Sequence, residues 1–216
     1  MYSVKEAFYS LQGEGTHTGR PAIFCRFTGC NLWSGKETHR STSECQFCDT
    51  DFIGTDGQNG GKFRNAFDLA QHLQSLWPVK NTHKYVVFTG GEPALQLDSE
   101  LINAMHSLGF EIAIETNGTL PLPEGIDWIC VSPKTTKTLI VNKGNELKLV
   151  YPQEHLPPQF FTSLDFDYFY LQPMDQSHLP EDRISPEATQ NLTLRYCLHN
   201  PQWRLSLQTH KMLNID

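Results

Sequence analysis

No apolar run in this 216-residue chain approaches the roughly 20 residues that a membrane-crossing helix needs, and the mean hydropathy is −0.42. The N-terminus, Met1 to Ser10, lacks the charged-then-apolar pattern of a secretory signal. These absences predict a soluble, cytoplasmic protein with no membrane partner. Positive charge is also scarce. Seventeen Lys and Arg side chains stand against 24 Asp and Glu, a formal charge of −7. That balance argues against a broad electrostatic footprint for nucleic acid and favours a small-molecule substrate. Internal repeats and low-complexity tails are missing, and the length suits one domain, residues 1–216, with a substantial core.

What is present alternates between two periods. Strand composition marks residues 22–27, 85–88, 110–114, 128–131, 146–150, 168–171 and 204–207. Asn65, with Asp68 three residues on, predicts a capped helix carrying Leu69, Leu73, Leu76 and Trp77 on one face. Asp98 opens a second helix, with Leu101, Ile102, Met105 and Leu108 sharing a face and Gly109 as its stop. Ser185 caps a third that starts at Pro186. Strands alternating with helices imply parallel pairing, so the expected fold is α/β, an incomplete β/α barrel of TIM-like type. Polar residues gather just after the strand ends: Thr89 to Glu92, Glu115 to Asn117, Ser132 to Lys134, Gln172 to Asp175. In such a barrel these ends form the catalytic face, and Gln208, Thr209 and His210 should emerge there too.

Six cysteines without a secretory signal point to a reducing compartment, where clustered thiols bind metal more often than they pair. Cys30, Cys45 and Cys48 share a polar Ser/Thr-rich stretch that runs on to Gly60-Gly61. Cys25, Cys130 and Cys197 lie in apolar surroundings and are expected to be ordinary buried thiols. A structural zinc site closes with four ligands, often two short pairs, but only Cys45 and Cys48 make a short pair here. On spacing alone, zinc completed by His39 or His17 and a cubane cluster on three thiolates remain equally open. A zinc-stabilised binding module is thus the alternative of a different class.

The strand-ending Thr89-Gly90-Gly91-Glu92-Pro93, downstream of Cys45-Gln46-Phe47-Cys48, resembles the glycine-rich motif of radical S-adenosylmethionine enzymes. Glycines there let the backbone approach a ligand amino group. Fourteen residues separate Cys30 from Cys45, where that superfamily usually has three. This long spacing also disfavours a glycyl-radical activase, the runner-up within the same chemistry. Together with Ser10-Leu11-Gln12-Gly13-Glu14-Gly15, Cys48-Asp49-Thr50-Asp51 and Ser206-Leu207-Gln208-Thr209-His210-Lys211, the insertion makes the chain similar to 7-carboxy-7-deazaguanine synthases. Only residues 151–166 carry nothing that matches.

The resemblance implies a radical SAM lyase of queuosine and 7-deazapurine biosynthesis. Its substrate is 6-carboxy-5,6,7,8-tetrahydropterin, contracted to 7-carboxy-7-deazaguanine with loss of ammonia after hydrogen abstraction at C6 by a 5′-deoxyadenosyl radical. It implies a [4Fe-4S] cluster on Cys30, Cys45 and Cys48, S-adenosylmethionine, and Mg²⁺ on Thr50. Substrate contacts carried over are Leu11, Gln12, Gly13, Glu14, Arg26, Thr89 and the terminal carboxylate of Asp216. Contacts for S-adenosylmethionine are Phe47, Cys48, Asp49, Gly91, Ser132, Pro133, Lys134, Gln172, Pro173, Met174 and Asp175. A homodimer and a low-potential donor such as flavodoxin or ferredoxin are further implications. The residues' chemistry suits these roles: a carboxylate such as Glu14 accepts from an aminopyrimidine edge, and a guanidinium such as Arg26 grips a carboxylate at two points. No general acid or base for ammonia loss is legible.

Overall fold

A computed structural model describes residues 1–79, 82–175 and 185–215. Its centre is one nine-stranded sheet. In chain order the elements are β1 (Tyr2–Leu11), β2 (Pro21–Phe27), β3 (Gly61–Phe63), α1 (Ala66–Leu76), β4 (Lys84–Gly90), α2 (Ser99–Ser107), β5 (Phe110–Thr116) and β6 (Trp128–Val131). There follow β7 (Lys143–Tyr151), β8 (Asp165–Pro173), α3 (Pro186–His199), β9 (Trp203–Leu205) and α4 (Thr209–Leu213). The sheet order is β3-β1-β2-β4-β5-β6-β7-β8-β9. From β2 to β9 every neighbour is parallel, whereas β1 runs antiparallel to both β2 and β3. Because β3 and β9 end the order unpaired with each other, the sheet stays open, as the expected incomplete barrel requires.

The capping residues named from sequence hold all three longer helices. Asn65 accepts from the Asp68 amide at 2.8 Å, Asp98 from Leu101 at 3.0 Å, and Ser185 from Ala188 at 3.2 Å. Gly109, at φ +77°, follows the end of α2 in the left-handed conformation that glycine adopts without a Cβ penalty. Trp77 and Leu108 lie one residue past the ends of α1 and α2 rather than inside them.

The period of two sorts the strands' side chains. Ile23, Cys25, Val86, Phe88, Ile112 and Ile114 face Leu69, Leu73, Leu101 and Met105 of the helices, in one dry core. Each such fully buried side chain contributes roughly 1.5–3 kcal/mol. A second core joins Leu147, Leu149 and Leu171 to Trp203, with Tyr196 and Cys197 of α3 against it. On the opposite face, Tyr85, Val87 and Ala113 pack with Phe24 at its lower part. Continuing that parity toward the strand ends gives Arg26, Thr89, Glu115, Ser132, Lys148 and Gln172. Register keeps them level: Arg26 is opposite Thr89, and Val150 is opposite Gln172. The inner face therefore turns from apolar to polar at the C-terminal ends of the strands.

Two thiols depart from expectation. Cys130 is buried on that inner face with its Sγ 3.5 Å from the Glu146 carboxylate, so its surroundings are polar. Cys197 is only half-buried.

Candidate functional site

A cavity of about 450 Å³ opens where the polar ends of the strands converge. Cys30, Cys45 and Cys48 all line it, together with Thr50, Phe47 and Asp49 from the same loop. So do Leu11, Gln12, Gly13, Glu14, Arg26 and Thr89, the expected substrate contacts, and Gly91, Ser132, Lys134, Gln172, Pro173 and Asp175. Two expected residues stand apart. The Pro133 carbonyl accepts from Gln153, and Met174 is buried with its amide bonded to Tyr151 O at 2.8 Å. Asp216 lies outside the described residues.

The glycine-rich turn shows why it is glycine-rich. Gly91 N donates to Phe27 O at 3.3 Å and Glu92 N to Gly29 O at 2.9 Å, which docks the turn against the start of the cysteine loop. A Cβ on Gly91 would sit 2.2 Å from Gly29 O and 2.9 Å from Cys30 Cβ. Gly90, at φ +145°, would collide with Phe27 O at 2.4 Å. Glu92 does not reach into the cavity. It is fully buried and accepts from Ala94 N, Thr116 Oγ1 and Asn117 N at 2.7–2.9 Å, which fastens the end of β5 to the turn. Burial raises its carboxyl pKa, only partly offset by those donors.

The three thiols fit a cluster better than a single ion. Among the described residues no three His, Cys, Asp or Glu side chains converge on one metal position. His39 Nδ1 is bonded to Ser34 Oγ and His17 Nδ1 to the Tyr85 hydroxyl, and neither ring lines the cavity that holds the three thiols. Three thiolates spread round a cavity suit a cubane with one iron left for a ligand. A hydrogen bond between the two thiols lowers Cys48 to about 6 and raises Cys45. Lys134 lies 5.2 Å over the Phe47 ring beside them.

Opposite the cysteines the cavity has a charged floor. Burial of Glu14 opposes its ionisation, but the Lys148 ammonium at 2.6 Å overrides burial and holds the carboxylate well below its usual range. Gln172 and Gln208 both donate to Glu14 Oε1 at 3.0 Å. Lys148, itself 5% exposed in its side chain, also stands 3.4 Å from Glu115, which accepts from Gln12 at 3.0 Å. Arg26 is ion-paired through Nε to Glu6 at 2.7 Å. At the rim, Lys211 bridges Asp49 at 2.8 Å and Asp175.

Lys148 and Glu6 were not singled out by the sequence reading, and Lys211 and Glu115 were named there without a specific role. A signal existed for Lys148. Glu146 and Lys148 stand two apart in the otherwise apolar stretch 146–150, which places two charges on one face of the strand.

Comparison with known proteins agrees with this geometry. Residues 38–144 match the radical SAM superfamily. The 7-carboxy-7-deazaguanine synthase of Burkholderia multivorans is 56% identical over 214 residues, covering 99% of each chain. That of Bordetella pertussis is 56% identical over 216 residues, again covering 99% of each. The crystal structure of QueE from Escherichia coli, 26% identical, superposes with a TM-score of 0.68 over 96% of this chain and 93% of that one. An open β/α sheet, three cysteines around its polar mouth and identity along the whole length thus agree: the chain belongs to the 7-carboxy-7-deazaguanine synthase family of the radical SAM superfamily.

Proposed function

We propose that this cavity contracts the ring of 6-carboxy-5,6,7,8-tetrahydropterin to 7-carboxy-7-deazaguanine with release of ammonia, for 7-deazapurines such as queuosine. The observation that carries the reading is the joining, in one cavity, of Cys30, Cys45 and Cys48 with an ion-paired floor built on Glu14 and Lys148. A [4Fe-4S] cluster held by those cysteines, with S-adenosylmethionine, supplies the hydrogen-abstracting radical. The remaining work falls to the protein's side chains.

Glu14, kept ionised by Lys148, accepts the donor-rich edge of the pterin. Arg26 has its Nε committed to Glu6, which leaves its terminal nitrogens for the substrate carboxylate. The Leu11-Gln12-Gly13 backbone and Thr89 complete that side. Thr50, beside Cys48, offers a hard oxygen to Mg²⁺, which otherwise keeps water and substrate oxygens. Phe47, Cys48, Asp49, Gly91, Ser132, Lys134, Gln172, Pro173 and Asp175 form the side for S-adenosylmethionine, with Pro133 and Met174 set behind it. The same reading includes a homodimer, a low-potential flavodoxin or ferredoxin as donor, and a cytoplasmic location. Among the described residues no helix is long and apolar enough to cross a membrane.

The test is anaerobic reconstitution followed by incubation with the tetrahydropterin, S-adenosylmethionine, Mg²⁺ and a low-potential reductant. Mass detection of 7-carboxy-7-deazaguanine and ammonia in equal amounts is the expected result. Cluster assembly with cleavage of S-adenosylmethionine but no deazaguanine would overturn the substrate assignment.

A further inference from the structure

The cluster ligands come from two separate pieces of chain, Cys30 just beyond β2 and the Cys45–Cys48 turn, with fourteen residues between. Chain connectivity alone holds such pieces together less well than the superfamily's usual spacing of three. Loop-closure entropy grows with the logarithm of length, so lengthening the closed loop from four residues to fifteen lowers the effective concentration of one piece at the other about seven-fold. Something in the insertion has to offset that loss.

Beyond the ligand turn, Phe52 packs edge-on against Trp33 and accepts from Gly29 N at 3.3 Å, but within the insertion one side chain spans the gap. Arg40 lies in the short 3-10 helix Glu37–Thr42 of the insertion, and its side chain is 14% exposed. Its Nη1 donates to Gln46 O and to Cys48 O, both at 2.9 Å, so it grips the ligand turn by its backbone. Its Nε and Nη2 pair with the two oxygens of Glu37 at 2.7 and 2.6 Å. Its guanidinium carbon lies 4.2 Å over the ring of Trp33, a buried residue three positions after Cys30. The base of the insertion is closed separately by Glu44 N donating to Leu32 O at 3.2 Å, but that bond does not reach Cys48. Arg40 alone among these contacts joins the Cys30 side to the carbonyl of the last ligand cysteine.

We infer that Arg40 is the positioning residue of the cluster loop: its planar fork keys the insertion onto the Cys45–Cys48 turn and takes over the work that a short spacer does by connectivity. The fork matters, not the charge alone. A lysine ammonium cannot bond two carbonyls, pair bidentately with Glu37 and lie flat on Trp33 at once. The inference rests on the cluster reading proposed above.

The test compares wild type, Arg40→Met, Arg40→Lys and Glu37→Gln, each reconstituted anaerobically. Iron and acid-labile sulfide per chain are measured, then the rate at which a ferrous chelator strips the cluster. Circular dichroism and melting of each variant report the sheet, from which this exposed helix stands apart. Arg40→Met is expected to release iron about seven-fold faster or more, Arg40→Lys nearly as fast, and Glu37→Gln at an intermediate rate. The paramagnetic resonance signal of reduced cluster that remains should still shift on adding S-adenosylmethionine, because none of its proposed contacts is itself substituted. Release at the wild-type rate in Arg40→Met, or full rescue by Arg40→Lys, overturns the inference. Should Arg40→Met fail to fold, Glu37→Gln decides, and wild-type release there counts against it. A wild type that takes up no cluster would instead sink the proposed function, so the two failures are distinguishable.

Discussion

Lys148→Met removes the counter-charge of Glu14 while preserving most of the buried stem. Breaking one partner out of a buried ion pair costs roughly 3–5 kcal/mol, because the other charge stays behind uncompensated. Glu14 keeps its bonds from Gln172 and Gln208, which places the expected loss at the lower end, about 3 kcal/mol. For a chain of this size each kcal/mol moves the melting point roughly 2–4 °C, so a fall of about 6–12 °C is expected in anaerobic scans at matched cluster content. Adding Glu14→Gln should recover most of the loss, since the stranded charge disappears. The pH dependence has a definite sign. Glu14 is depressed from 4.5 to about 2, so its contribution is present above 4.5 and fades as pH falls toward about 2. Lys148 is raised, so its contribution is present below 10.5 and fades only as pH climbs through its higher folded value. The gap between wild type and Lys148→Met should therefore be flat near neutrality and close in acid. The pterin KM should rise about tenfold, the equivalent of ~1.4 kcal/mol, with cluster content unchanged. A melting point within 1 °C of wild type, or a double variant no better than the single one, would refute the pairing as the determinant of Glu14.

Alanine at Cys30, Cys45 or Cys48 should abolish the site-differentiated cluster, whereas alanine at Cys25 or Cys197 should spare it; iron counts and paramagnetic resonance on each variant check this. Gly91→Ala has no room at 2.2 Å from Gly29 O, so the turn must back away from Cys30; reduced iron uptake and weaker binding of S-adenosylmethionine are expected, and normal values for both would show that the turn can yield. Thr50→Val should blunt stimulation by Mg²⁺ while leaving cluster content and uncoupled cleavage of S-adenosylmethionine intact, and an unchanged Mg²⁺ titration would leave Thr50 a turn residue.

The longer strands of the parallel sheet, β2, β4, β5, β7 and β8, were legible because their inner and outer faces differ in chemistry over seven or more residues. β1 was not, and its irregularity explains why. Its pairing with β2 slips between Val4 and Glu6, so Lys5 is buried against Asp51 and Asp56 instead of facing water, and the alternation that would announce a strand is lost. β3 has three residues and α4 five, with no side-chain cap, too short for either period to register. Cys130 is buried as expected, but its polar contact was not legible: its neighbours in sequence are apolar, whereas its neighbour across the sheet is Glu146.

The cysteines and glycines could be found because their chemistry restricts the residue type, whatever the fold. The charged floor obeys a different rule, since each of its members is an ordinary polar residue until the chain brings the others to it. Gly13 and Thr209 show how far that reaches. Thr209 donates to Gly13 O through both its amide, at 2.9 Å, and its hydroxyl, at 3.0 Å, across 196 residues. A Cβ on Gly13 would lie 2.1 Å from His210 Nδ1 and 2.9 Å from its backbone nitrogen, so any side chain there would displace His210. That contact sets Gln208 within 3.0 Å of Glu14, and Glu14 within reach of Lys148 in the middle of the chain. Glu14 is thus a half-buried, ion-paired anion only because three distant segments meet, and its chemistry belongs to the fold, not to the Gly-Glu-Gly stretch that carries it.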